Sequence, residues 1–154
     1  MQYNSPDTLT MVGEFHKAME VPGLISPGIP SPNRAQLRVS LIEEELGELK
    51  EAIKDGDIVA VADALCDLQY VLSGTVLEFG MAEAFADLFA DVQRSNMSKL
   101  CDTIDDAIAT VEHYAAKGVI SSIIPSGDKY RVEREDGKAL KSINYSPANL
   151  AQFL

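Results

Sequence analysis

Residues 38–74 read RVSLIEEELGELKEAIKDGDIVAVADALCDLQYVLSG, and this stretch decides the fold. Apolar residues recur at helical spacing on both sides of the segment 54–57 (KDGD), which predicts two helices joined by a turn. Gly56 is expected to end the first helix, and Asp57 is expected to cap the second. The stretch therefore predicts an antiparallel helix hairpin.

Both predicted helices carry carboxylates. The first contains Glu44, Glu45 and Glu48, and the second contains Asp63 and Asp67. Residues three or four positions apart share a face of an α-helix, so the hairpin can bring the two sets together. Clustered carboxylates repel one another unless a cation neutralises them, and all-oxygen sites suit Mg²⁺ or Mn²⁺. The pattern therefore predicts a metal site.

The alternative for acidic residues on a helix is an ordinary solvated surface, and we favour it for Glu43 and Glu51. The second helix, by contrast, is apolar almost all round, which predicts a central position in the fold. A charge there would be costly without a partner. Asp63 and Asp67 are therefore expected to need a cation.

The rest of the chain predicts a mainly α fold, a helical bundle around the hairpin with a small C-terminal β-hairpin. Asp7 and Asn33 are expected to cap helices, and residues 20–33, with four prolines and two glycines, predict an ordered, irregular crossing. We expect one domain, 1–154, in which 102–154 adds a helix, the β-hairpin and a tail. The predicted helices are 6–19, 33–54, 58–79, 81–95 and 103–117, and the predicted strands are 119–124 and 129–134.

Composition and charge exclude some classes of function. Hydrophobic residues make up 46% and charged residues 24% of the 154 residues, as in ordinary globular proteins. The formal net charge of -11 argues against nucleic-acid binding through phosphates. The first ten residues do not resemble a signal peptide, and no run of 18 apolar residues occurs. We therefore expect no membrane association and a cytoplasmic protein.

Cations concentrate in residues 94–99 (RSNMSK). Arg94 and Lys99 are the best candidates to contact phosphates, although cations are also favoured at any helix C-terminus. Hydrolysis of a nucleoside triphosphate between its α and β phosphates would use both the clustered carboxylates and these two cations. Carboxylate-bound cations would hold the phosphates, and the two side chains could neutralise the leaving pyrophosphate.

Other residues that could take part in chemistry are more simply explained by core, structural or surface roles. Cys66 lies in an apolar helix and is expected to be a small core residue. His16 and His113 are each isolated in a predicted helix, so we expect structural or surface roles. The sequence contains no P-loop, no HExxH and no Ser-His-Asp arrangement that would indicate another hydrolase.

Several motifs resemble those of one known superfamily. Residues 44–48 (EELGE) fit the EExxE motif of the all-α NTP pyrophosphohydrolases. Residues 63–71 (DALCDLQYV), followed by Gly74, resemble the second metal motif of its MazG-like and phosphoribosyl-ATP pyrophosphohydrolase-like branch. The likeness covers nearly the whole chain. The superfamily members that the chain resembles include phage-encoded proteins. The likeness continues through residues 14–16, 94–99, 136–141 and 144–147.

The resemblance implies a metal-dependent enzyme that hydrolyses a (d)NTP to the (d)NMP and pyrophosphate, using Mg²⁺ or Mn²⁺. Among bases it slightly favours dGTP or GTP. The family's metal ligands correspond to Glu45, Glu48 and Asp67. Glu44 would be a further ligand or the base, so Glu44 and Glu48 are the catalytic candidates, and Asp63 is a further candidate ligand.

The resemblance also implies a substrate site and an assembly. Related proteins form dimers or tetramers, so a homo-oligomer is expected, in the host cytoplasm if a phage encodes the protein. The tail can complete a site, including one in a neighbouring subunit. The substrate-binding candidates are Phe15, Arg94, Asn96, Lys99, Lys138, Lys141 and Tyr145.

One position departs from the family pattern. The usual second motif is ExxD, but the residue three before Asp67 is Ala64, and Asp63 is displaced by about 100° around the helix. Two alternatives stay open, and the departure at Ala64 supports the first of them. One is a non-catalytic helical module that binds nucleotides or proteins, and the other is hydrolysis of phosphoribosyl-ATP.

Overall fold

The fold of residues 3–154 is described by a computed structural model. Met1 and Gln2, which begin the stretch compared with signal peptides, lie outside the described residues. The fold is mainly α, as predicted, with one small antiparallel sheet. In chain order the elements are α1 (Thr8–Ala18), α2 (Pro32–Asp55), α3 (Ile58–Glu78), α4 (Phe85–Met97), α5 (Ile104–Ala115), β1 (Ser121–Ser126), β2 (Lys129–Arg134) and a 3-10 turn (Leu150–Phe153).

The chain divides into two compact units. The first extends to Phe85 and includes Leu154, and the second is Ala86–Phe153. The first unit contains α1, α2 and α3, and the second contains nearly all of α4 together with α5, β1 and β2. The expectation of one domain over 1–154 stays a prediction.

The hairpin of α2 and α3 dominates the first unit, as the sequence predicts. Gly56 ends α2 in the left-handed conformation, with φ of 69°. The Asp57 carboxylate then accepts hydrogen bonds from the backbone N–H groups of Val59 and Ala60 at 2.9 and 3.1 Å. α1 packs on α3, and the Asp7 side chain caps α1 as expected.

The start of α2 differs from the expectation. The helix begins at Pro32, one residue before the predicted cap Asn33, and Ser31 is the N-cap residue without a side-chain capping bond. Proline favours the first helical turn because its φ is already helical and it has no N–H to leave unpaired. The prediction that Asn33 caps this helix is therefore wrong.

The predicted irregular crossing lies between α1 and α2 and is anchored to the end of α3. The N–H of Leu24 donates to the carbonyl of Glu78 at 3.1 Å, and the N–H of Gly28 donates to that of Phe79 at 3.1 Å. Gly80, with φ of 68°, allows the crossing to pass close to the end of α3. A Cβ at Gly80 would lie 2.3 Å from the Ser26 carbonyl oxygen. This packing explains why the segment is ordered without regular structure.

The second unit has a small core of its own. Cys101, Ala107 and Val132 are fully buried, and α5 packs on both strands. Thr103 caps α5 in a complete capping box with Asp106. The predicted β-hairpin is confirmed, although β1 begins at residue 121 and includes Pro125 and Ser126, which were expected to lie in the turn.

The other boundaries of this unit also differ slightly. α4 begins at Phe85 instead of Met81, because residues 81–84 form turns after α3. The tail ends in a short 3-10 turn, Leu150–Phe153. Turns and 3-10 segments are common at helix ends, and helix boundaries commonly vary there by a residue or two.

The surface of α3 contradicts two expectations. One side of this helix is open, with Ile58 75%, Leu65 52% and Leu72 46% exposed, so the other helices of the first unit do not surround it. Cys66 is exposed, and the prediction that it is a core residue is wrong. Helical periodicity identifies an apolar side without indicating what covers it.

Within residues 3–154, α3 is also the one helix long and apolar enough to cross a membrane, judged by length and composition only. The core helix of a soluble protein meets the same test. Asp63 and Asp67 lie within it, and a charged residue is costly inside a bilayer. The expectation of no membrane association stays a prediction.

Candidate active site

The first unit brings the predicted acidic residues together. Glu44, Glu45 and Glu48 lie in the middle of α2, and Asp63 and Asp67 lie in the N-terminal half of α3. Because the two helices pack as an antiparallel pair, all five carboxylates belong to the same region of the hairpin. We call these five residues the acidic group.

The electrostatics of Glu45 show that these charges interact. The pKa of Glu45 is raised, first because the carboxyl group is partly removed from water, and then because of the negative charges of Asp67, Glu48, Glu44 and Asp63. Glu45 is half-buried, whereas Glu44 and Glu48 are exposed. The hairpin therefore concentrates negative charge around one carboxyl group.

This acidic group fits a divalent cation by its chemistry. Its donors are all carboxylate oxygens, which Mg²⁺ and Mn²⁺ prefer, and its mutual repulsion would be relieved by a cation. No three Asp, Glu, His or Cys side chains in residues 3–154 are already gathered at metal-binding distance. The exposed carboxylates would therefore have to change rotamer to close on an ion.

The departure at Ala64 has a structural consequence. Ala64 is only 3% exposed, so the position that usually carries Glu points into the packed side of the first unit. Asp63 is exposed and Asp67 is half-buried. The expectation that both aspartates are buried and therefore need a cation is wrong for Asp63. The charges of both aspartates nevertheless contribute to the raised pKa of Glu45.

Phe15 lies beside the same helix. Its ring is 45% exposed and meets the Tyr70 ring edge-on, with centroids 5.6 Å apart. Tyr70 also lines an apolar groove of about 430 Å³ between α1 and α3, together with Met11 and Val12. An exposed aromatic next to an apolar groove can stack on a planar ligand, which is consistent with the predicted role of Phe15.

A buried ionic cluster was not predicted from the sequence. Glu78 is 1% exposed and accepts hydrogen bonds from Arg34, at 3.0 and 2.6 Å, and from Nε of Arg38 at 2.5 Å. His16 and Arg38 both approach Gly74 so closely that a Cβ there would lie 2.9 Å from each. This cluster joins all three helices of the first unit.

The environment sets the charge states of this cluster. Burial would raise the pKa of Glu78, but the hydrogen bonds from Arg34 and Arg38 outweigh it and hold that pKa below its ordinary value. Burial, aided by the charge of Arg38, lowers the pKa of His16. His16 is thus structural, as expected. In the sequence, the i, i+4 spacing of Arg34 and Arg38 is the feature that could have indicated this ionic cluster.

The second unit assembles most of the predicted phosphate-binding residues. Arg94 donates to the hydroxyl of Ser146 at 2.9 Å and to the carbonyl of Pro147 at 3.0 Å, which holds the tail against α4. The hydroxyl of Ser95 donates to that of Tyr145 at 3.0 Å. The tail therefore packs on the helix that carries Arg94.

Positive charges act on Tyr145. The Lys141 ammonium lies 4.3 Å from its centroid. The pKa of the Tyr145 hydroxyl is lowered, first by the hydrogen bond from Ser95 and then by the charges of Lys141, Lys99 and Arg94. Three predicted cations thus act on one hydroxyl group. We call Arg94, Lys99, Lys141 and Tyr145 the basic group.

The remaining two substrate-binding candidates of the second unit, Asn96 and Lys138, are not part of the basic group. The Asn96 side chain accepts a hydrogen bond from Lys99 at 2.8 Å, so it orients one cation of the basic group. Lys138 is exposed in the turn after β2, where its backbone N–H donates to Asp136 at 3.2 Å. Nothing in the second unit draws the Lys138 side chain towards the others.

The chain is mainly helical, and its hairpin concentrates carboxylates around Glu45. The model of the phosphoribosyl-ATP pyrophosphohydrolase family matches residues 12–96, which include the whole acidic group. The chain belongs to this family. Membership supports a pyrophosphohydrolase activity on a nucleotide in general terms.

One curated relative is also similar. It is described as "Uncharacterized protein L479" of Acanthamoeba polyphaga mimivirus. The two chains are 23% identical, and the match covers 80% of this chain and 84% of the relative. The likeness extends beyond the family match, into the second unit.

Proposed function

We propose that this protein hydrolyses a (d)NTP to the (d)NMP and pyrophosphate, with Mg²⁺ or Mn²⁺ held by the acidic group. The observation that carries the proposal is that the two helices of the hairpin bring the charges of four other carboxylates to bear on Glu45, whose pKa they raise, within the segment that matches the family. Such a concentration of charge is costly unless a cation binds there. The family supports the type of reaction but does not select the nucleotide.

The side chains have distinct roles in this proposal. Glu45, Glu48 and Asp67 would hold the cation, with Asp63 on the exposed side of α3 as a further ligand. A bound divalent cation would neutralise phosphate charge and lower the pKa of a water molecule. Glu44, or Glu48, would accept the proton of a water molecule that attacks the α-phosphorus, while the bond from that phosphorus to the bridging oxygen breaks and pyrophosphate leaves.

The basic group is the candidate for binding phosphate. Arg94 and Lys99 carry positive charge in a chain whose net charge is -11, and Lys141 adds a third cation next to Tyr145. Cations close together bind phosphate more strongly than isolated ones because their fields add. We propose that these residues contribute to the affinity for a triphosphate.

Hydrolysis of phosphoribosyl-ATP is the second candidate, because the matching family is described by that reaction. Both reactions break an α–β phosphoanhydride bond and release pyrophosphate. They therefore require the same acidic group and differ in how the nucleoside and ribose are held. The slight preference for dGTP or GTP rests on resemblance to phage-encoded proteins.

A panel of substrates with identification of the products tests the proposal. The eight common (d)NTPs and phosphoribosyl-ATP would be incubated with Mg²⁺ or Mn²⁺, and the products separated by ion-exchange chromatography. We expect a monophosphate and pyrophosphate from at least one (d)NTP. Turnover of phosphoribosyl-ATP alone would select the second candidate. Metal-dependent binding without any product would instead favour a non-catalytic nucleotide-binding module.

A further inference from the structure

A surface cavity of about 370 Å³ lies within the second unit, between the end of α5 and the tail. Six of its lining residues are polar or aromatic, and they are His113, Tyr114, Lys117, Lys141, Ser142 and Tyr145. We call it the α5–tail cavity. Its volume is within the range of about 300–1,000 Å³ in which proteins hold small ligands. The α5 side of the cavity lies outside residues 12–96, so the family match assigns it no role.

The charged groups that line the α5–tail cavity are positive. Lys117 and Lys141 supply two ammonium groups, and within residues 3–154 no Asp or Glu is among the lining residues. Acidic residues outnumber lysines and arginines by 24 to 13 in the chain, so cations without a carboxylate beside them are not what its composition favours. Lys54 and Lys129, by contrast, lie 3.0 and 2.7 Å from carboxylate oxygens. The positive charge at the cavity is therefore available to a ligand.

The Lys117 ammonium does not cap the end of α5. Cations are favoured at a helix C-terminus, where they can bind its last carbonyl groups. The carbonyl of Tyr114 already accepts the backbone N–H groups of Lys117 and Val119, at 2.9 and 3.0 Å. The Lys117 ammonium instead meets Nε2 of His113 at 2.8 Å and lies 5.8 Å from the centroid of the Tyr114 ring. Its position is thus set by side chains that line the cavity.

The contact between Lys117 and His113 favours an anionic ligand. An ammonium group only donates hydrogen bonds, so Nε2 of His113 has to accept this one. The ring proton is then on Nδ1, which is left as a donor. An anion would accept hydrogen bonds from both side chains, whereas a cation would be repelled by the lysine charge.

Ser142 adds a buried donor to the cavity. The residue is 4% exposed, and its hydroxyl oxygen accepts the N–H of Asn144 at 3.1 Å. Among residues 3–154 no acceptor takes the proton of this hydroxyl, although a buried donor without an acceptor is costly. The N–H of Lys141 donates to the hydroxyl of Tyr114 at 3.2 Å, which holds this part of the tail against α5. A ligand with acceptor oxygens would complete the hydrogen bonding of Ser142.

We propose that the α5–tail cavity binds a pyrophosphate group, either as free pyrophosphate or as the terminal phosphates of a nucleotide. Lys117 and Lys141 would contribute charge, and His113 and Ser142 would contribute hydrogen-bond donors. Donors on four separate side chains suit an anion with several oxygens and more than one negative charge, whereas a carboxylate offers two oxygens. Lys141 also belongs to the basic group, and the other three are additional binding residues. The inference concerns binding alone and does not depend on the proposed hydrolysis.

Isothermal titration calorimetry of the full chain in the presence of EDTA tests the cavity. EDTA removes divalent cations, so the acidic group cannot hold phosphate through a metal, and the proposed hydrolysis cannot contribute heat. We expect pyrophosphate to bind at physiological salt, and Lys117→Gln to weaken its binding about tenfold or more. Lys129→Gln is the matched control, because Lys129 lies in the same unit but is paired with Asp102. Circular dichroism would confirm that both variants are folded.

Two further titrations distinguish the sources of the pyrophosphate group. One uses an α,β-methylene nucleoside triphosphate, which resists cleavage, and the other uses the corresponding nucleoside monophosphate. Binding of the triphosphate analogue but not of the monophosphate, weakened by Lys117→Gln, would assign the cavity to the terminal phosphates of a nucleotide. An effect of Lys117→Gln on free pyrophosphate alone would assign it to the free anion.

Nuclear magnetic resonance of the histidine side chains locates the bound anion. The chain has two histidines, His16 in the first unit and His113 at the cavity. Pyrophosphate in EDTA should shift the imidazole signals of His113 and leave those of His16 unchanged. The variant His113→Gln identifies which signals belong to His113. Signals of His113 that stay unchanged at saturating pyrophosphate would overturn the inference.

Two calorimetric outcomes would also overturn it. One is a native protein that does not bind pyrophosphate in EDTA at millimolar concentration. The other is weakened binding in Lys99→Gln together with full binding in Lys117→Gln, which would place the anion in the basic group without the α5 side chains. Pyrophosphohydrolase activity is measured separately, with divalent cations present, so its absence would not bear on these results.

Discussion

Arg38 and Glu78 form a buried ion pair between α2 and α3, with Nε of Arg38 2.5 Å from Oε1 of Glu78 and both side chains more than nine-tenths buried. Arg34 binds the same carboxylate, so one negative charge is shared by two guanidinium groups. His16 lies next to Arg38 at the packing position of Gly74. This cluster is the main polar connection among the three helices of the first unit.

Glu78→Gln should destabilise the protein strongly. Removing one charge from a buried pair leaves its partners buried and uncompensated, which typically costs about 3–5 kcal/mol. The free energy of unfolding would be measured by urea denaturation. Glu51→Gln is the control, because the Glu51–Lys54 pair is exposed and should contribute no more than about 1 kcal/mol. Similar losses in the two variants would contradict a structural role for the cluster.

Stability should fall as the solution becomes acidic. The pKa values of His16 and Glu78 are both lowered by the fold, so the unfolded chain binds protons more readily than the folded one. The stability that they contribute is complete above their ordinary pKa values, and it is lost as pH falls below 6.5 for His16 and below 4.5 for Glu78. Urea denaturation between pH 8 and pH 4 would measure this loss. His16→Gln should flatten its upper part, and an unchanged profile would contradict the role of His16.

Gly80→Ala should be destabilising, by about 2 kcal/mol or more, because the positive φ and the nearby Ser26 carbonyl both exclude a side chain. Gly47→Ala is the opposite case. Gly47 lies inside α2, and no neighbouring atom comes within 4 Å of the position that an alanine Cβ would take, so alanine should stabilise the helix by roughly 0.5–1 kcal/mol. Thermal denaturation of both variants measures the contrast. Equal shifts would show that the close contact at Gly80 is not present.

Glu48→Gln should abolish pyrophosphate release and leave the fold intact. The substitution removes a proposed ligand and catalytic carboxylate from an exposed position, so stability should change by less than about 0.5 kcal/mol. Release of pyrophosphate from the best substrate of the panel would be measured. Glu43→Gln, on the same helix, should retain activity. Full activity of Glu48→Gln would remove Glu48 from the proposed site.

Lys99→Gln should raise KM for the substrate about tenfold or more, which corresponds to roughly 1.4 kcal/mol of lost binding. Lys129→Gln is the control, since Lys129 is paired with Asp102 at 2.7 Å in the same unit. Initial rates over a range of substrate concentrations would separate KM from kcat. Equal KM values for the two variants would exclude the basic group from phosphate binding.

The sequence predicted most of the secondary structure because the relevant interactions are local. The left-handed Gly56, the Asp57 cap and the apolar periodicity of the hairpin all act within one or two helical turns. The acidic group could be predicted for the same reason, since a hairpin with a short turn brings its two helices together. Residues 94–99 were recognised from their composition, although their partners in the tail were not.

Other features depend on contacts between residues that are far apart in the chain. Arg38 and Glu78 are separated by 40 positions, and Ser95 and Tyr145 by 50. Periodicity identified the apolar sides of α3 but could not indicate that one of them is left open, which is why Cys66 was assigned to the core.

The sequence alone therefore determined the helix hairpin, its carboxylates and the family, because these follow from local patterns and motif spacing. Only the tertiary structure decided which charges are buried, which cations gather around Tyr145 and which side of α3 is open. Burial and long-range pairing depend on how helices pack, and the same amphipathic pattern is compatible with several packings.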